Sequence, residues 1–172
     1  MAVRRSDVDA MRPLHHLSLA IIAFVFAGCA KDATGTGQDL GFSSSCGTDG
    51  ARLQANTGAS SFCASAQVLA MCDGTSAMIS GFDLTGSSIV LQIDDLGVGV
   101  HPISEAMNAV LFMRNGASFA TGQDAAGELA IVQHDAAARR LKGSFEVDLI
   151  NARNGDVLTV SGSFDVTYRT ED

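Results

Sequence analysis

From Leu141 to Tyr168 the chain alternates apolar and polar residues on both sides of Asn154-Gly155, a period of two that suits strands and not a helix. Asn-Gly between such runs signals a hairpin, because a type I′ turn needs a left-handed backbone at both central residues. A two-residue turn there sets Arg153 opposite Asp156. One face then pairs Leu141 with Tyr168, Gly143 with Val166, Phe145 with Phe164, Val147 with Gly162 and Leu149 with Val160. The other face is polar and pairs Ser144 with Asp165, Glu146 with Ser163, and Asp148 with Ser161. A slip of one residue would mix the two faces, so the register is expected to be well determined. The near-repeat Gly143-Ser144-Phe145-Glu146-Val147 and Gly162-Ser163-Phe164-Asp165-Val166 therefore reads as two facing strands, not as a duplicated functional unit.

The same alternation recurs upstream. Leu129 and Ile131 alternate with Ala130 and Val132, Ile89, Leu91 and Ile93 line one face of another run, and Met78, Ser80 and Phe82 belong to a third, joined to its successor through Leu84-Thr85-Gly86-Ser87. Short strands at this spacing, separated by turn residues, predict an all-β fold: an antiparallel β-sandwich, or a partly open barrel, over residues 51–172. The segment Ser104 to Arg114 admits a short helix started by Ser104-Glu105 or a strand near Asn108 to Arg114, and the buried run Val110-Leu111-Phe112-Met113 favours the strand.

The N-terminal part is of another kind. Leu17 to Ala27 is apolar over eleven residues, and a membrane-spanning helix needs about 20, so the run fits the core of a secretory signal. It ends in Phe26-Ala27-Gly28-Cys29, which reads as a lipobox: small residues suit a signal peptidase pocket, and the Cys29 thiol is the nucleophile that can take a diacylglycerol. Residues 1–28 are then a removable leader. Met1 and Met11 are both possible starts, since Asp7 and Asp9 sit poorly in a basic leader while Arg12, His15 and His16 suit one. Each buried acyl methylene contributes about 0.8 kcal/mol, so two or three chains on Cys29 would hold the protein at a membrane. The expected location is the bacterial cell envelope, at the outer membrane and facing the periplasm or the exterior, because no acid directly follows Cys29 in Ala30-Lys31-Asp32. Residues 29–50 are rich in Gly, Ser, Thr and Asp and read as a tether.

Charge narrows the partners. The chain carries 11 Lys and Arg against 19 Asp and Glu, a balance that disfavours nucleic acid and anionic surfaces, which demand clustered cations. The expected partners are the membrane, through the lipid, and an envelope protein or surface ligand, with the domain a monomer. Sugar recognition by stacking is disfavoured, since the chain has no Trp and its one tyrosine, Tyr168, falls on the inward face.

With Cys29 acylated, Cys46, Cys63 and Cys72 remain, which allows one internal disulfide. A hairpin turning at Thr57 to Ser60, extrapolated outward, brings Cys46 near Cys72, and this pairing is preferred, with Cys63 buried beside Phe62; Cys63 with Cys72 is the alternative. A free Cys63 with His101 or His134 as base would make a thiol enzyme, whereas the simpler reading has Cys63 filling core space. His134-Asp135 reads as a solvated turn. Asp94-Asp95 lacks the regular ligand spacing of a calcium loop, no Cys or His pairs have zinc spacing, and Gly97 to Gly99 has no following helix to bind phosphate. No catalytic residue, metal or cofactor is expected.

The chain resembles a family of small uncharacterised bacterial lipoproteins with an antiparallel β-sandwich domain. The resemblance runs from Leu53 to Tyr168 through Leu53-Gln54-Ala55-Asn56-Thr57-Gly58, Gly99-Val100-His101-Pro102-Ile103, Gly127-Glu128-Leu129-Ala130-Ile131 and the paired Gly-Ser-Phe runs. Val100-His101 departs from the aromatic residue that often follows the glycine in such proteins. The motifs are turns and core positions, so the resemblance implies a fold and carries over no activity. The expectation is a lipid-anchored envelope module that binds or supports, with a thiol enzyme built on Cys63 as the alternative.

Overall fold

Alternation along the sequence becomes twelve strands in the computed structural model, which describes residue 46, residues 50–123 and residues 126–170. The leader, Cys29 and most of the tether lie outside the described residues. The strands are β1 (Arg52–Asn56), β2 (Ser61–Ala64), β3 (Val68–Cys72), β4 (Ala77–Phe82), β5 (Ser88–Ile93), β6 (Gly99–Ile103), β7 (Val110–Arg114), β8 (Ala117–Ala120), β9 (Gly127–Asp135), β10 (Arg140–Asn151), β11 (Val157–Thr167) and β12 (Arg169–Thr170).

All twelve belong to one sheet, in the order β12-β3-β4-β5-β7-β8-β10-β11-β1-β2, with β9 paired to β10 and β6 to β9. The fold is all-β, and of the two expected architectures it takes the open one, a curled half-barrel. The long β10 serves two neighbours on one edge: Ile150 and Asn151 pair with β8, and Arg140 to Val147 pair with β9. Past Tyr168 the chain of β11 continues into β12, which pairs in parallel with Met71 and Cys72 of β3. The inner face collects Leu53, Ile79, Ile89, Leu91, Ile93, Leu129, Leu141, Leu149 and Val160, all fully buried. Each such side chain contributes about 1.5–3 kcal/mol of burial. The strand preferred for the ambiguous segment is β7, with Val110 and Phe112 turned inward.

The C-terminal hairpin keeps its expected faces but not its expected register. Leu141 faces Val166, Gly143 faces Phe164, Phe145 faces Gly162 and Val147 faces Val160, each partner displaced by two residues. A shift of two preserves the parity of the pleat, so the buried set is unchanged. The turn is the cause. Gly155 alone has a positive φ there, at 74°, and the loop is closed by Asn151 N–H donating to the Asp156 carbonyl at 2.9 Å. That is a longer loop than type I′. The two-residue I′ geometry belongs instead to Asn115-Gly116, with φ of 50° and 75°, which joins β7 to β8 and sets Arg114 opposite Ala117.

This register explains the near-repeat. Each glycine lies under the other strand's phenylalanine: a Cβ on Gly143 would come within 2.6 Å of Phe164 Cζ, and one on Gly162 would meet the Phe145 ring. The two Gly-Ser-Phe motifs are reciprocal halves of one packing device, in which rings cover bare backbone.

The expected disulfide is corrected. Cys46 is bonded to Cys63, with Cα atoms 5.3 Å apart, and Cys72 is the free, buried thiol among the described residues. Neither Cys46 with Cys72 nor Cys63 with Cys72 forms. The hairpin through Thr57 to Ser60 does have the expected register, with Leu53 opposite Ala64 and Gln54 opposite Cys63. Strand β2 ends at Ala64, however, and Cys72 lies on β3, so the hairpin cannot be extrapolated that far. Cys46 falls in the stretch read as tether, yet it is buried.

Candidate functional site

The residues nominated by sequence are dispersed, and most are occupied in holding loops. Cys63 is in the disulfide and has no thiol to offer. The free Cys72 is buried on β3, its sulfur accepting the Gly74 N–H at 3.3 Å. His134, at the end of β9, hydrogen-bonds through Nε2 to the Tyr168 hydroxyl at 3.1 Å. Burial, and then the neighbouring Cys72, push the Tyr168 hydroxyl above its ordinary range. His134 is thus engaged by the sheet and does not stand free in a turn.

His101 belongs to a separate loop. Its Nε2 donates to the Gly97 carbonyl at 2.7 Å, and its Nδ1 lies 3.4 Å from Asp95. Asp95 also accepts the Gly97 N–H at 2.8 Å, so Gly97 serves this loop. Asp94 turns the other way. Its carboxylate accepts the Asn108 N–H at 2.8 Å while the Asn108 side-chain oxygen accepts the Asp94 N–H at 2.9 Å, a reciprocal pair that crosses from β5 to the start of β7. Asn108 is fully buried, has φ of 56° and donates its amide to the Pro102 carbonyl. Asn108→Ala removes both side-chain bonds and leaves a left-handed backbone without an asparagine. It should cost about 2–4 kcal/mol in urea unfolding, with Asn108→Gly less costly because glycine accepts that backbone.

Elsewhere Asp165, on β11, is bonded by Arg140 at 2.8 Å through two guanidinium nitrogens and is approached by Arg52 at 3.6 Å. The Arg140 hydrogen bonds hold its carboxyl below the usual range despite partial burial. An acidic recess lined by Glu128, Glu146 and Asp148 places Glu146 directly opposite Glu128. Among the described residues no three His, Cys, Asp or Glu side chains converge to hold a metal ion.

Two surfaces were not evident from the sequence. The first is the outward face of β3, β4, β5 and β7. The register aligns Leu69, Ser80, Val90 and Leu111 in one row, Met71, Met78 and Gln92 in a second, and Phe82, Ser88 and Met113 in a third. No charge stands in these rows, and Leu69, Met78, Phe82 and Met113 are exposed. The four strands are therefore largely apolar on both faces, which a period of two conceals when the outer residues are also apolar.

The second is a recess of about 140 Å³ at the rim, where the start of β2, the turn between β4 and β5, and the β7–β8 hairpin meet. Its floor is Phe62 and Phe112, packed edge to face with centroids 6.4 Å apart. Arg114 enters from the hairpin and donates to the Ser60 hydroxyl, which also bonds Thr57 Oγ1 at 2.9 Å. Asp83, also in the lining, accepts the N–H groups of Thr85 and Ser87 on one oxygen, both at 2.8 Å, and its carboxylate also takes the Thr85 hydroxyl. The recess gathers one guanidinium and several hydroxyls from segments far apart in sequence.

Comparisons with protein-family models, curated proteins and solved structures gave no match. The candidate site therefore rests on geometry and chemistry.

Proposed function

We propose that this chain is an exported bacterial envelope protein, anchored by lipid on Cys29, whose β domain acts as a monomeric binding or supporting module and not as an enzyme. The observation that carries this reading is the Cys46–Cys63 disulfide. Disulfides form and persist in oxidising compartments outside the cytosol, so this one agrees with the export implied by the apolar leader and Phe26-Ala27-Gly28-Cys29. It also takes the thiol of Cys63, the nucleophile on which the enzyme reading depended, while His101 and His134 sit in different hydrogen-bonded settings. The resemblance to small envelope lipoproteins points the same way, and the outer membrane is the destination that the residues after Cys29 favour. The recess and the uncharged outer face are surfaces on which such a module could meet a surface ligand or an envelope protein.

The test is metabolic labelling with an alkyne fatty acid, followed by fractionation and mass analysis of the N-terminal peptide. The wild-type chain should carry lipid on Cys29 and sediment with membranes. Cys29→Ser should lose the label and shift most of the protein, on the order of tenfold, out of the lipid-bearing pool, since one acyl chain or none gives only weak attachment. An unmodified Cys29 in the mature protein would overturn the anchor.

A further inference from the structure

We infer that the rim recess between β2, the β4–β5 turn and the β7–β8 hairpin binds a small hydroxylated carboxylate, with Arg114 as the group that holds its carboxylate. This deepens the binding-module reading and rests on it, but it uses only the folded domain.

The first argument is charge. The chain carries 19 acidic residues against 11 basic ones, and Arg140 pairs with Asp165. Arg114, like Arg139, Arg153 and Arg169, has no ion pair among the described residues, but it alone of these lines the recess, where its hydrogen bond goes to a neutral hydroxyl, Ser60. A guanidinium has five N–H donors in a planar fork that matches a carboxylate in two-point geometry. One bond to Ser60 orients the fork and leaves the other donors open to the recess.

The second argument is which partners remain. Asp83 is the acid in the lining; its Oδ1 accepts the N–H groups of Thr85 and Ser87, and the Thr85 hydroxyl lies against both of its oxygens. The Ser60 hydroxyl is shared between Arg114 and Thr57. What the recess still offers is weighted toward donors by the rest of the Arg114 fork, with the Asn115 amide and the Ser61 hydroxyl able to donate or accept. Such a set asks for a ligand rich in acceptors, and hydroxyls on the ligand can answer the hydroxyls at the rim.

The third argument is rigidity and size. Asn115-Gly116 is a tight I′ turn, so Arg114 is placed by a regular hairpin and not by a loose loop. The buried Phe62 and Phe112 beneath it keep water out of the floor, which strengthens an ion pair made above them. A volume of about 140 Å³ equals roughly five water volumes. That suits a hydroxy acid or one sugar-acid unit. Recognition through the guanidinium needs no aromatic platform.

The test uses full-length protein purified in detergent from whole-cell extract and saturation-transfer NMR with three probes: glycolate, D-glucuronate and D-glucose. Transfer to glycolate or glucuronate, with at least tenfold weaker transfer to glucose, is the expected result. Arg114→Gln should weaken carboxylate binding about tenfold or more, as expected for loss of a charge-assisted pair. Ser61→Tyr, at an exposed position, should block the mouth and abolish binding while the circular dichroism spectrum stays that of wild type. Binding of glucose equal to that of glucuronate, binding retained in either variant, or no transfer to either carboxylate would overturn the inference. Cys29→Ser should leave the binding unchanged, which separates failure of this site from failure of the anchor.

Discussion

Gly162→Ala is expected to be among the most damaging single substitutions in the domain, lowering stability by about 3 kcal/mol or more in urea unfolding with the slope unchanged. An added methyl would stand 2.6 Å from the Gln54 carbonyl oxygen on β1 and would also strike the Phe145 ring. The ring can turn, but the carbonyl belongs to the β1 backbone that pairs with β11. The double variant Gly162→Ala with Phe145→Ala should therefore recover only part of the loss, beyond the cost of about 3–5 kcal/mol for deleting a buried phenylalanine. A cost below about 1 kcal/mol for Gly162→Ala would show that the β1 carbonyl does not stand against the glycine.

Loss of the Cys46–Cys63 bond is the second large effect. The two residues are 17 apart in sequence, and a cross-link closing a loop of that size contributes about 3 kcal/mol by restricting the unfolded chain. Cys63→Ala should lower stability by about that amount, and reduction of the wild type should do the same. Peptide mapping should recover Cys46 joined to Cys63, and with Cys29 acylated a thiol reagent should titrate Cys72 only after denaturant is added, because that thiol is buried. Recovery of Cys46 joined to Cys72 would contradict the pairing.

The alternation between Leu141 and Tyr168 made the inward faces legible, because parity is set by which residues are apolar. Register was less legible, since it depends on the turn. Two Asn-Gly pairs occur in the chain, and only Asn115-Gly116 has both residues left-handed. Nothing within the dipeptide distinguishes them; the strands that flank each turn do. The β1–β2 register could be read from its short loop, whereas the disulfide needed the end of β2 and the position of β3, which are tertiary facts. Asp94-Asp95 reads in sequence as a charged loop without calcium-ligand spacing, and the structural task of Asp94 is hidden there because its partner Asn108 lies 14 positions away at the edge of a strand. The recess was hidden for the same reason: Ser60, Asp83 and Arg114 meet only after three separate turns have formed.

The position of Cys46 also has a mechanical meaning. A pull arriving along the chain from the N-terminal side reaches a covalent cross-link to Cys63 before it reaches the first strand, β1. The load passes into β2 and does not peel β1 from β11 one hydrogen bond at a time. Under the proposed N-terminal anchor, that route would place the strain on a bond that does not fray, and the sheet behind it would stay folded under tension.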